Sequence, residues 1–110
     1  MELSVNEDGG HQTVHMITEN GGEATFVQVD VASASAVEAL ISKTVETYGR
    51  LDCAYNNAGI AGRIRAPLHE CPEDVWDQVL AINLKGVWLC RHWFSLMGTF
   101  LPFEIITYAI

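Results

Sequence analysis

The residues best suited to chemistry in this 110-residue chain are a few amides and one carboxylate that stand where apolar runs give out. Asn56-Asn57-Ala58-Gly59 closes the run Leu51-Asp52-Cys53-Ala54-Tyr55. Asn56 and Asn57 can bond their own backbone and hold an unusual turn, while Ala58 and Gly59 let a ligand come close to the main chain. Asp30 and Val31 follow the run Ala24-Thr25-Phe26-Val27-Gln28-Val29. In an open α/β sheet the carboxyl ends of the strands are where ligands sit, although an aspartate there is also a ready turn former. Asn83 falls on a helix face shared with Trp76, Val79, Leu80 and Val87. An unpaired buried amide costs about 1–3 kcal/mol, so it needs a partner, and the Asn56 region is the expected one.

Other polar groups carry less. His11 and His15 lie one helical turn apart and offer two metal ligands, but no third ligand follows at a recognisable spacing, so no metal site is expected. Glu70, Glu73 and Asp74 suit the positive end of a helix dipole better than paired acid/base work.

These groups need elements to position them. Gly9-Gly10 suggests a turn at the end of a polar stretch, 3–10, followed by a short helix carrying Val14 and Ile17 and closed by Gly21-Gly22. Residues 24–29 are β-branched and aromatic and read as a strand. Ser35-Ala36-Val37-Glu38 has the form of a capping box, and Val37, Leu40, Ile41, Val45 and Tyr48 then repeat at helical spacing until Gly49. Residues 51–56 read as a second, parallel strand reached by a right-handed crossover. A loop over 60–71 leads to Pro72 in the first turn of a long helix that reaches at least Cys90, with Gly86 allowing a bend or close packing. From Trp93 the pattern breaks into a hydrophobic tail interrupted by Gly98, Pro102 and Glu104, which argues against a membrane helix.

The totals narrow the function. One domain fits this length, and a βαβ unit takes about 30 residues or more, so the chain holds about half of a doubly wound fold. A net charge of −8 with six lysines and arginines speaks against nucleic acid. Cys53, Cys71 and Cys90 form no C-x-x-C pair and the start of the chain carries no basic leader, so free thiols in the cytoplasm are expected.

Three motifs in order, Gly49-Arg50-Leu51-Asp52, Asn56-Asn57-Ala58-Gly59 and Asn83-Leu84-Lys85-Gly86, resemble the middle of a short-chain dehydrogenase/reductase, with the likeness running from about Val5 to about Arg91. The resemblance implies a partial Rossmann-like doubly wound parallel sheet, an incomplete three-layer α/β/α arrangement, over residues 1–92, with 93–110 a divergent tail. It also implies NAD or NADP as cofactor and hydride transfer to or from a small-molecule alcohol or carbonyl substrate. By the same resemblance, Asp30 would bond the adenine ring and Val31 would offer its backbone N–H. Asn56, Asn57, Ala58 and Gly59 would line the nicotinamide-ribose side. Asn83 would be the asparagine of the catalytic tetrad, its main-chain carbonyl holding a water of the proton relay. Helices 36–48 and 72–90 would face subunit neighbours.

The 110 residues contain no Gly-x-x-x-Gly-x-Gly run to cradle a pyrophosphate, and no tyrosine with a lysine four positions on. Ser4 stands where the resemblance places the ribose-binding acid, so the choice between NAD and NADP stays open. The expectation is a chain inactive alone. Alternatives are a non-catalytic fragment that associates with a full-length relative, or a product without a role.

Overall fold

The computed structural model describes residues 2–4, 6–62 and 67–97. Strand β1 (Glu2–Ser4) pairs in parallel with β2 (Phe26–Gln28), Leu3 lying opposite Val27. Helix α1 (Glu7–Glu19) connects them, as parallel strands require. This corrects the reading of 3–10 as a polar turn: the stretch supplies a strand and the first turn of α1. Asn6 caps that helix by accepting the Gly9 N–H at 3.2 Å, and Glu7 and Asp8 stabilise its positive end. Gly10 does not serve a turn either. It is buried inside α1, where any side chain would enter the ring of Phe26.

Helix α2 (Ala34–Tyr48) starts two residues before the expected 36, because Ser33 rather than Ser35 is its N-cap and accepts from the Ala36 N–H at 3.4 Å. Ser33→Ala should therefore cost about 0.5–1 kcal/mol, seen as a fall in the thermal midpoint of about 2–8 °C, whereas Ser35→Ala should leave the midpoint within about 2 °C. The helix ends at Gly49 in the left-handed region (φ 78°), with the Gly49 N–H donating to the Val45 carbonyl at 2.8 Å. Near that end the Tyr48 hydroxyl donates to Thr25 Oγ1 at 3.0 Å and ties α2 to the chain entering β2.

A single long helical rod forms the rest: α3 (Glu73–Leu80), a π-helical stretch over Ala81–Gly86, and α4 (Val87–Met97). Pro72 is the residue before α3, extended at ψ 139°, not its first turn. α4 continues past Trp93 to Met97, so the loss of pattern expected at Trp93 does not end the helix; the tail beyond residue 97 lies outside the described residues. The π stretch also overturns the expected apolar face. Its wider turn adds a residue and swings the following side chains around the axis. Leu89 and Cys90 after it are buried and Asn83 within it faces solvent, while Trp76, which precedes the stretch, is exposed as well.

The core joins Val29 and Val31 to Val37, Leu40 and Ile41 of α2 and to Leu89 and Cys90 of α4, with Val27, Leu51, Ile82 and Trp93 packed at its margin. Strand alternation puts Phe26 on the opposite face from Val27, against α1. The order is thus α1, sheet, then α2 with α4: three layers, with a sheet of two strands among the described residues. Thr44 is buried where Val45 was expected, its hydroxyl donating to the Leu40 carbonyl at 2.8 Å.

The expected strand over 51–56 is not assigned. The segment makes no ladder with the described strands, Cys53 is exposed, and Tyr55 is 66% exposed. A strand exists only through its lateral partner, and the composition of 51–56 could not reveal that β1 and β2 stand away from it.

Candidate cofactor-binding site

Asp30 and Val31 leave β2 in a tight turn. Asp30 Oδ1 accepts from the Ala32 N–H at 2.9 Å, and the Asp30 carbonyl accepts from the Ser33 N–H at 3.1 Å, which delivers the chain to the cap of α2. The turn-forming role of Asp30 and its place at the strand end are therefore the same fact. Asp30 is exposed while Val31 is buried, so the carboxylate faces outward from a fixed hydrophobic anchor.

Across from this turn lie residues 51–59, which form neither helix nor strand and in which the Asn57 N–H donates to the Tyr55 carbonyl at 3.1 Å. Between the two lies a cleft of about 700 Å³, lined by Asp30 and Val31 on one side and by Asn56, Asn57, Ala58 and Gly59 on the other. All six residues expected to contact a cofactor therefore share one cavity, with Leu40 and Ile41 of α2 and Cys90 of α4 also in its lining. Burial pushes the Cys90 thiol pKa up and keeps it protonated.

Asn83 is not in the lining of the cleft. Its side chain grips the residue after the motif at both ends: Nδ2 donates to the Ile60 carbonyl and Oδ1 accepts from the Ile60 N–H, each at 2.8 Å. One amide thus supplies Ile60 with the pair of bonds that a neighbouring strand would give. The expected partner, the Asn56 region, is close in sequence but is corrected to Ile60, and no sequence signal marks that residue. Nor is Asn83 on the buried face of its helix. It is exposed and satisfied, because the π stretch turns it toward the loop.

Two glycines define how near things can come. An added Cβ on Gly86 would meet Val31 Cγ2 at 2.8 Å and the Val31 carbonyl at 3.3 Å, so the rod presses directly on the strand end that carries Asp30. At Gly59 a Cβ would meet the Asn83 side chain, Oδ1 at 3.5 Å and Cγ at 4.0 Å, an ordinary contact. Packing against the described residues therefore does not demand glycine there. The two histidines one helical turn apart stand on exposed turns of α1, His11 3.8 Å from Glu7 and His15 3.2 Å from Glu19.

Residues 3–99 match the family model described as "Enoyl-(Acyl carrier protein) reductase". The chain belongs to the short-chain dehydrogenase/reductase family. An uncharacterised oxidoreductase of Thermotoga maritima is 42% identical over 85 residues, which are 77% of this chain and 32% of that protein. Among solved structures, an NAD+-bound xylitol dehydrogenase superposes with a TM-score of 0.82 at 30% identity, covering 86% of this chain and 36% of the other. A metagenomic short-chain oxidoreductase in complex with NADP superposes with a TM-score of 0.80 at 28% identity, covering 86% and 42%. The chain thus spans about a third of the length of the curated relatives it matches. The fold is that of the family's doubly wound α/β domain, present in part, with more helix than sheet among the described residues. No helix among the described residues is long and apolar enough to cross a membrane.

Proposed function

We propose that this chain provides one wall of a nicotinamide-dinucleotide site in a short-chain oxidoreductase. The carrying observation is the shared cleft that brings Asp30 and Val31 opposite Asn56, Asn57, Ala58 and Gly59. These residues fit one side of NAD or NADP: a carboxylate and a main-chain N–H for the adenine end, and a small-residue stretch for the nicotinamide ribose. When bound, the cofactor supplies the hydride donor or acceptor for an alcohol or carbonyl substrate. The chain's own residues position and shield. The Asp30 turn is held by its bonds to 32 and 33, and Asn83 fixes Ile60, which keeps the bend after Gly59 in place. Because the Asn83 side chain is committed to Ile60, any part in proton transfer falls to its main-chain carbonyl. With no Tyr-x-x-x-Lys pair in the 110 residues, the chain does not turn over substrate alone. Three cysteines with no disulfide among them suit a cytoplasmic setting.

The test is thermal stabilisation. Millimolar NADH or NADPH should raise the midpoint by about 2 °C or more, and whichever raises it further is the preferred cofactor. Gly59→Ala should leave the unliganded midpoint within about 2 °C yet abolish the rise, since the added methyl fits the protein but not the approaching ligand. No rise with either nucleotide defeats the proposal.

A second reading concerns association, and the exposed side of the rod favours it. Trp76 (50% exposed), Leu84 (66%) and Trp88 (59%) lie about two turns and one turn apart on helical backbone, and Leu84 and Trp88 border an open hollow of about 510 Å³ with Leu80. Such an apolar stripe suits a subunit neighbour, either a second copy or a longer relative. The other helix expected to face a neighbour, over 36–48, shows no comparable stripe among its exposed residues. Sedimentation should give a dimer or larger species, and Leu84→Glu with Trp88→Glu should return it to monomer. A monomeric parent chain counts against this reading.

A further inference from the structure

The end of the rod carries a contact that lies outside the cleft. Ser42, half-buried on α2, donates its hydroxyl hydrogen to Met97 Sδ at the end of α4, with Oγ and Sδ 3.5 Å apart. These two helices share the core through Leu40, Ile41, Leu89 and Cys90, so the contact bridges elements already pressed together. A thioether is a weak acceptor. Ser42 thus gives a good donor to a poor acceptor. Met97 is also 36% exposed, which leaves its side chain open to a small oxidant dissolved in water. Met16 on α1 is more exposed, at 58%, but among the described residues no donor reaches its sulfur.

Oxidation changes the acceptor at Met97. Hydrogen peroxide transfers one oxygen to the sulfur: a sulfur lone pair forms the S–O bond, the peroxide O–O bond breaks, sulfur loses two electrons, and water leaves. The new oxygen is a strong acceptor and sits one bond length off the sulfur. From a starting separation of 3.5 Å, an O–H···O distance of about 2.7–2.8 Å is then reached with neither helix displaced. Sulfoxide formation ordinarily loosens a fold, because it puts a polar group among apolar ones. Here a donor already stands in position, and the exposed end of the rod leaves the rest of the group to water.

We propose that Met97 is an oxidative modification site whose sulfoxide is clasped by Ser42, so that oxidation tightens the packing of α4 on α2. The modifying reagent is a small two-electron oxygen donor of the hydrogen peroxide class. Methionine sulfoxide reductases restore the thioether, which makes the clasp reversible. Neither Ser42 nor Met97 lines the cleft, so the proposal stands or falls independently of the nucleotide reading.

The test compares the full chain with Met97→Leu and Ser42→Ala, each before and after treatment with hydrogen peroxide. Dithiothreitol then reverses disulfide and sulfenic products of the three cysteines. Peptide mass spectrometry locates the sulfoxides and calorimetry gives the thermal midpoints. Met97→Leu keeps the side-chain volume and retains Met16 and the cysteines, so its change on oxidation reports everything except Met97. Measured against that change, the parent should gain one oxygen at Met97 and about 2 °C or more in midpoint. Ser42→Ala should gain the same oxygen and show no rise, because its sulfoxide has no hydroxyl to accept from. A parent chain in which Met97 stays unoxidised overturns the proposal. So does a parent midpoint that fails to rise against Met97→Leu once the sulfoxide is formed. An equal rise in Ser42→Ala overturns it as well, since the gain then owes nothing to the hydroxyl.

Discussion

Gly86→Ala is expected to destabilise the chain by about 1–3 kcal/mol, lowering its thermal midpoint by about 4–20 °C, even though alanine is the better helix former. By intrinsic preference alone the substitution gains about 1 kcal/mol. Against that stands a Cβ placed 2.8 Å from Val31 Cγ2, 3.2 Å from Val31 Cβ and 3.3 Å from its carbonyl. Two of those three neighbours are backbone or next to it, so they cannot rotate away, and the rod itself must retreat from the strand end. Retreat loosens Val31, and with it the outward carboxylate of Asp30, so the variant should also lose any stabilisation by NADH or NADPH. Chemical denaturation with circular dichroism measures the first effect. A Gly86→Ala chain as stable as the parent would show that the contact with Val31 relaxes without cost.

Asn83→Ala is expected to cost about 1–3 kcal/mol, from two hydrogen bonds each worth about 0.5–1.5 kcal/mol. The loss is local to the bend after Gly59, so amide exchange at Ile60 should quicken by tenfold or more. Asn83→Asp separates the two bonds. Its carboxylate can still accept the Ile60 N–H but now faces the Ile60 carbonyl with no proton to offer, so the Ile60 amide should stay protected while the midpoint still falls. Equal exchange at Ile60 in all three proteins would remove Asn83 from its positioning role.

That Asp30, Val31 and the Asn56 motif would stand near one another could be read in advance because they sit at the ends of apolar runs, where sequence marks position strongly. Asp30 ends an apolar run, and the Asn56 motif pairs two amides with a glycine; both stand on the cleft. Helix α2 was legible for the same kind of reason, since its apolar residues keep one period over four turns. What escaped depends on neighbours. Strand status at 51–56 is a property of pairing, which a composition of leucine, cysteine and tyrosine cannot announce. The face of the rod escaped because one π stretch changes the period midway, so residues in step before Ala81 fall out of step after Gly86. The cap at Ser33 instead of Ser35 was a contest between two equally suitable hydroxyls, decided by the Asp30 turn that fixes where the helix begins.

The π stretch has a consequence of its own. Along one uninterrupted rod it acts as a vernier, letting the Trp76 side and the Leu89 side answer to different surroundings without a break in the helix. Removing the one residue that the π stretch adds between Ala81 and Gly86 would wind the rod uniformly and leave Leu89 and Cys90 turned to the core. The stretch is thus the place where the rod carries its spare residue.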